Sequence, residues 1–194
     1  MRNSYWKQSR DCWVYNEEYP LIDPPDRLYT LGERNIVQVG GVYLILRTSW
    51  LYSLRRGNFV TRVLEWSRQQ TVMRVVSDQV GNPTWARMLA EATAQLLARA
   101  QRDVYAWIKE HRSIYHLAGS GACSRYEWAR EILRCDPEKD KQVTQQIMPS
   151  NWKDFHTLAR RPLFSALDCT HFFDVFGMRL PDWKVALQMA MEIG

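Results

Sequence analysis

Arg160-Arg161-Pro162 is the stretch of this chain best equipped to hold a diphosphate. A guanidinium offers two parallel donors to a phosphate, and the proline keeps the residue before it, Arg161, extended rather than helical. A surface ion pair is the competing use of the same charge. Trp50 follows the apolar run Val42-Tyr43-Leu44-Ile45-Leu46. That puts it at the carboxyl end of a strand, where ligands of open α/β sheets collect; in a chain with nine tryptophans it could equally be a packing residue. Asn58 stands at a helix start, where it caps well whether or not it also touches a ligand. Gly119-Ser120-Gly121 lacks the third glycine of a dinucleotide loop and reads as a plain turn. His111, His116, His156 and His171 have neither metal-ligand spacing nor a nucleophile partner, so no metal site is expected. Cys12, Cys123, Cys135 and Cys169 form no CxxC pair, which suits incidental thiols in a reduced cytoplasm.

The elements that must position these residues alternate between strand and helix. Residues 1–30 read as irregular, with Pro20, Pro24 and Pro25 blocking regular structure. A helix is expected from Leu31, with Leu31, Ile36 and Val37 on one face, stopped by Gly40-Gly41. The run 42–46 suits a strand buried on both faces. A helix from about Phe59 to Gln69 and a strand 72–76 follow, and a long helix starts at Asn82-Pro83-Thr84. Ser113 to Leu117 is a second buried strand, and Ser124 with Glu127 forms a capping box for a helix to Arg134. Gln145 to Met148 is a possible strand, His171 to Phe176 a short helix stopped by Gly177, and Asp182 the cap of a last helix. Only 42–46 and 113–117 look like sheet interior, fewer than an open doubly wound sheet contains.

Six segments extend the pattern: LRTSWLY (46–52), GNFV (57–60), VVSDQVGNPTWA (75–86), IYHLAGSG (114–121), ARRPLFSALDC (159–169) and FGMRLPDW (176–183). In this order they resemble the C-terminal half of dTDP-4-dehydrorhamnose reductases, the RmlD-type branch of the extended short-chain dehydrogenases. The resemblance implies an α/β fold: the C-terminal portion of an NAD(P)-binding Rossmann-like domain, with an incomplete parallel sheet and a small substrate-binding lobe. Residues 1–30 would be an irregular N-terminal segment and 31–194 the RmlD-like domain. The resemblance puts Trp50 in the deoxyhexose site, Asn58 and Phe59 between nucleotide and sugar, and Gln79, Asn82 and Thr84 beside the nucleotide. Thr48 and Ser49 would approach the nicotinamide of NADPH or NADH. Where relatives often carry an aspartate, this chain has Met88.

The same resemblance shows what is missing. Relatives carry a tyrosine and, four residues on, a lysine that lowers its pKa, so that the hydroxyl can pass a proton to the substrate carbonyl oxygen. Here Gly32-Glu33 fits the end of that motif, but the fourth residue after Tyr29 is Glu33, which cannot favour a tyrosinate. No GxGxxG turn is present either. No catalytic residue is therefore expected, and no cofactor for the chain alone. The expected function is the nucleotide-sugar-binding part of a dTDP-4-dehydrorhamnose reductase, inactive by itself; a non-catalytic binding or regulatory subunit is the alternative. Net charge +5 allows an anionic ligand, but Arg55-Arg56 and Arg160-Arg161 are the only tight basic pairs, so nucleic acid is not expected. No apolar run approaches a membrane span, and residues 1–16 contain no apolar signal core. A cytoplasmic protein is expected, whose open sheet edge is covered by a second copy, by a nucleotide-binding lobe, or by residues 1–30.

Overall fold

The computed structural model describes residues 6–9, 12–15, 24–100, 103–155 and 162–193, with side chains from residue 31 onward. β1 (Trp6–Ser9) and β2 (Cys12–Tyr15) pair antiparallel, and α1 (Pro24–Val39) follows. Next come β3 (Leu44–Arg47), β4 (Leu51–Tyr52), α2 (Phe59–Ser67) and β5 (Val72–Val76). β6 (Val80–Gly81) and β7 (Thr84–Trp85) lead into α3 (Ala86–Arg99), α4 (Val104–Glu110) and β8 (Ser113–His116). After β9 (Cys123–Ser124) come α5 (Arg125–Cys135), β10 (Gln146–Ser150), α6 (Thr170–Phe176) and α7 (Trp183–Ile193). β3 pairs with β8, β4 with β7 and β5 with β10, all parallel, while β6 and β9 run antiparallel. Parallel partners joined through intervening helices make this an α/β fold.

Several local expectations need correction. Residues 1–30 contain a strand pair and the first turns of α1, so they are not irregular throughout. Pro24 and Pro25 open the helix instead of blocking it, because the first helical positions have no intrahelical amide bond to lose. β3 begins two residues later than expected, and all four of its residues are only half-buried. That half-exposure means it is not a strand buried on both faces, and among the described residues β8 is its one hydrogen-bonded neighbour. α3 starts at Ala86 because 80–85 are drawn into two short strand pairings. α4, capped by the Asp103 carboxylate on the Ala106 amide (2.9 Å), carries no strong apolar period and was not anticipated.

Other signals hold. The Glu127 carboxylate accepts from the Ser124 amide at 2.7 Å while the Ser124 hydroxyl accepts from the Glu127 amide at 3.1 Å, completing the capping box of α5. Gly177, at φ +62°, ends α6 in the left-handed conformation. Asp182 accepts from the Lys184 amide at the start of α7 (2.9 Å). Two cores result. Val60, Val63, Met73, Trp128, Ile132 and Leu187 join α2, α5, α7 and β5. Leu96, Tyr115, Leu117, Phe172 and Phe176 join α3, β8 and α6.

The ends of α2 and α5 meet at Asp136, which is 2% exposed. Its carboxylate accepts from Arg68 Nη2 (3.1 Å), Gln142 Nε2 (2.8 Å) and the Glu138 amide (3.0 Å). Burial alone would raise its pKa, but these donors outweigh burial and hold it below the usual carboxylate range. A depressed folded pKa stabilises above the unfolded value, and that contribution fades as pH falls through the folded one. Asp136→Asn is expected to cost about 1.5–3 kcal/mol at neutral pH. In urea unfolding, the gap from the parent should stay constant above about pH 5 and narrow below about pH 4; a gap independent of pH would refute this.

Candidate ligand-binding site

Between the loops after β3 and β5 and the start of α5 lies a cavity of about 430 Å³. Its wall is aromatic and cationic: Trp50, Phe59, Trp66, Trp128, Trp152 and Phe155 stand with Arg62, Arg74 and Arg125, no aspartate or glutamate among the described residues lines it, and Arg74 is ion-paired with Asp154 at 3.2 Å. Such a lining favours a ligand with a flat or apolar part and a negative charge.

Trp50, Asn58, Phe59 and Gln79, singled out from the sequence, all line this cavity. Asn58 is also the cap of α2. Its Oδ1 accepts from the Val60 amide (2.9 Å), and its Nδ2 donates to the carbonyls of Arg56 (2.6 Å) and Ser53. It therefore shapes the mouth of the cavity through the 53–58 loop. Gln79 is half-buried, and its carbonyl accepts from the Arg125 amide at 3.1 Å, which fixes the start of α5 against the cavity.

Asn82 and Thr84 lie outside the cavity wall and are 6% and 0% exposed. Their side chains join loops. Asn82 donates to the Gly121 carbonyl (2.6 Å) and accepts from the Leu167 amide (2.6 Å). Thr84 Oγ1 accepts from the Gly119 amide (3.0 Å) and donates to the Asn82 carbonyl (3.2 Å). Ser49 belongs to the same knot, donating to the Ser165 carbonyl (3.2 Å) and accepting from the Asn82 amide (3.4 Å). Arg161 lies outside the described residues.

The nicotinamide dinucleotide implied near Thr48 and Ser49 does not fit the described residues. Thr48 Oγ1 is buried without a partner, a single hydroxyl where a dinucleotide needs a row of phosphate and ribose contacts. Two of the three amides of the Gly119–Gly121 turn are already engaged. Gly119 N donates to Thr84 and Ser120 N to the Pro181 carbonyl (3.0 Å). Glu33 is likewise engaged: Arg47 Nε and Nη2 reach its two oxygens at 2.8 and 2.5 Å. That bidentate pair pins α1 to β3 and leaves an anion, itself neutralised by Arg47, four residues after Tyr29. His116 Nδ1 lies 3.1 Å from the Asp168 carbonyl, and burial, with Arg47 nearby, lowers its pKa. No group of three or more His, Cys, Asp or Glu side chains among the described residues could hold a metal ion.

Sequence reasoning missed the residue at the centre of the wall. Arg125 stood only as filler inside the capping box, yet its guanidinium carbon lies 3.8 Å from the Trp50 ring centre, 4.7 Å from Phe59 and 5.4 Å from Trp128. Arg62, Arg74, Trp152 and Phe155 were missed as well. Each comes from a segment whose local pattern announces only a helix, a strand or a turn.

Residues 27–193 match the RmlD substrate binding domain. The dTDP-4-dehydrorhamnose reductase of Burkholderia thailandensis is 33% identical over 165 residues, covering 84% of this chain and 55% of its own length. Spore coat polysaccharide biosynthesis protein SpsK of Bacillus subtilis is 31% identical over 182 residues, 92% of this chain and 58% of its own. The crystal structure of a dTDP-4-dehydrorhamnose reductase from Clostridium acetobutylicum superposes with a TM-score of 0.72 at 24% identity, covering 86% of this chain and 54% of that one. That of the Bacillus anthracis reductase, in complex with NADP, gives 0.71 at 24% identity, with 84% and 52% covered. This chain spans about half the length of the curated relatives it matches. Its fold is that portion of the Rossmann-like architecture common to these reductases.

Proposed function

The chain belongs to the family of RmlD substrate binding domains, and from that membership we propose that it is the nucleotide-sugar-binding part of a dTDP-4-dehydrorhamnose reductase, without turnover of its own. The observation that carries the proposal is the cavity itself: among the described residues its wall holds six aromatic side chains and three arginines and no carboxylate. The aromatic surfaces suit base and sugar, and the arginines suit the diphosphate between them. Trp50, Asn58, Phe59 and Gln79 would border the ligand. Asn82, Thr84 and Ser49 would hold the loops that carry those residues.

Reduction of the ketosugar would need a nicotinamide-binding unit from elsewhere, in the other half of the relatives' length or on a partner chain. The half-exposed β3 and the apolar residues Leu31, Ile36 and Val37 of α1, each 45–50% exposed, support docking of such a lobe or of a second copy at this edge. No helix among the described residues is long and apolar enough to cross a membrane, and a cytoplasmic setting agrees with a biosynthetic role.

Calorimetry on the purified chain with dTDP-rhamnose and with NADPH tests the proposal. Weak binding of the nucleotide sugar and no detectable binding of NADPH are expected. Tight NADPH binding, or turnover of the ketosugar by this chain with NADPH alone, would overturn it.

A further inference from the structure

We infer that Arg62 is the residue of the cavity that meets the ligand's negative charge, and that the class it selects is a diphosphate ester; the inference rests on the nucleotide-sugar reading above. The first reason is where α2 aims this side chain. Phe59, Arg62 and Trp66, at i, i+3 and i+7, share one helical face, and all three line the cavity. Val60 and Val63, each 0% exposed, are locked in the core, so the helix cannot turn that face elsewhere. The start of the helix is fixed as well. The Arg62 amide donates to the Asn58 carbonyl at 3.0 Å, and the Asn58 side chain caps the turn. Arg62 is exposed, whereas Trp66 is half-buried and Trp128 buried. The cation therefore stands at the mouth, with aromatic surfaces behind it.

The second reason is that the other two arginines of the wall are occupied. Arg74 Nη2 pairs with Asp154 at 3.2 Å, and its Nε donates to Ser150 Oγ at 3.1 Å. Asp78 accepts from the Trp152 amide at 3.0 Å. Together these contacts fasten the turn 150–155, which brings Trp152 and Phe155 to the cavity. Arg74 is thus a fastener of the wall. Arg125 is packed against Trp50, Phe59 and Trp128. The Arg62 guanidinium, by contrast, makes no hydrogen bond, ion pair or ring contact with any described residue, not even with Glu65 on the same helix.

The position is also a costly one for a cation. At the end of the first turn of α2 a positive charge opposes the helix dipole, and no acidic residue in that turn offsets it. The preceding loop adds Arg55 and Arg56, both exposed, whose guanidinium groups likewise have no partner among the described residues. Uncompensated cations at 55, 56 and 62 give the mouth a positive field, which an incoming anion relieves. Arg62, on the wall, can close on a pyrophosphate with two parallel donors. Arg55 and Arg56, off the wall, add only attraction at a distance, which salt screens. A neutral sugar or a free nucleoside lacks the group that Arg62 selects.

The test is calorimetry with three probes, inorganic pyrophosphate, dTDP and thymidine, on the parent chain, Arg62→Ala, Arg62→Lys and the double variant Arg55→Ala/Arg56→Ala. Near-ultraviolet circular dichroism controls for folding. Arg62→Ala should weaken dTDP and pyrophosphate by about tenfold or more and leave thymidine unchanged, and Arg62→Lys should fall between. The double variant removes two charges from the same mouth, yet it should cost less than Arg62→Ala alone. The reverse order would make the site a diffuse field rather than a contact and overturn the inference. Unchanged dTDP binding by Arg62→Ala would also overturn it and leave the nucleotide-sugar reading intact. Parent protein that binds pyrophosphate through Arg62 but not dTDP would sink the nucleotide reading and keep the anion assignment. Parent protein that binds neither would sink both.

Discussion

Gly119→Ala is expected to destabilise the chain by at least about 4 kcal/mol, beyond the usual range for overpacking. A Cβ at Gly119 would stand 2.2 Å from the Pro83 carbonyl oxygen and 3.3 Å from its carbon. The obstacle is backbone, so no side-chain rotation can relieve it. Nor can either backbone withdraw. The Gly119 amide donates to Thr84 Oγ1 at 3.0 Å, and Asn82 Nδ2 holds the Gly121 carbonyl at 2.6 Å. Thr84 N donates to the Trp50 carbonyl (3.2 Å) and Leu117 N to the Arg47 carbonyl (2.8 Å). Opening the gap would break several of these bonds at once, each worth about 0.5–1.5 kcal/mol. Urea unfolding checks the magnitude, with Gly32→Ala as the opposite case. A Cβ at Gly32 meets nothing within 4 Å, and the residue lies inside α1, so that substitution should add about 0.5–1 kcal/mol. A Gly119→Ala protein within about 1 kcal/mol of the parent would refute the account of this junction.

That junction shows where sequence reasoning succeeds and where it stops. Asn82, Pro83 and Thr84 were visible as residues of consequence, because turn formers between a strand and a helix carry a local signal. Their partners, Gly121, Leu167, Ser49 and Gly119, come from distant segments, so the sequence could not tell ligand contacts from loop fasteners. The capping box at Ser124 was legible because both its halves lie within four residues. Arg125, inside the same box, was not, because its meaning comes from Trp50 and Phe59, more than sixty positions earlier. β3 was legible as a strand, but not its half-exposure, since an apolar run reports what a segment could bury and says nothing of how many neighbours it finds. Family resemblance carried Trp50, Asn58, Phe59 and Gln79 to one cavity, whereas composition alone would have left nine tryptophans equivalent.

Trp128→Ala is the second substitution expected to have a large effect, because this one side chain belongs to both the core and the cavity. Trp128 is 1% exposed and packs with its ring centre 5.5 Å from Trp50, 5.5 Å from Tyr52 and 4.9 Å from Phe59. Truncation should cost about 3–5 kcal/mol, the range for removing a large aromatic from a packed interior. The indole Nε1 is buried without a hydrogen-bond partner, as is the hydroxyl of Tyr52, whose pKa burial drives upward. Trp128→Phe removes that orphaned donor along with part of the ring volume, so it should lie much closer to the parent than Trp128→Ala does. Trp128→Ala should also loosen Trp50 and with it the cavity wall, so stability and dTDP affinity should fall together. Arg62→Ala, at an exposed position on the rim, should lower affinity with stability nearly unchanged. Melting temperature and dTDP titration on the same three proteins separate the two effects. If Trp128→Ala kept its stability and lost only binding, the wall would be a surface feature laid over the core; loss of both identifies it as the core's own outer face, which is why the cavity can hold its shape without a ligand.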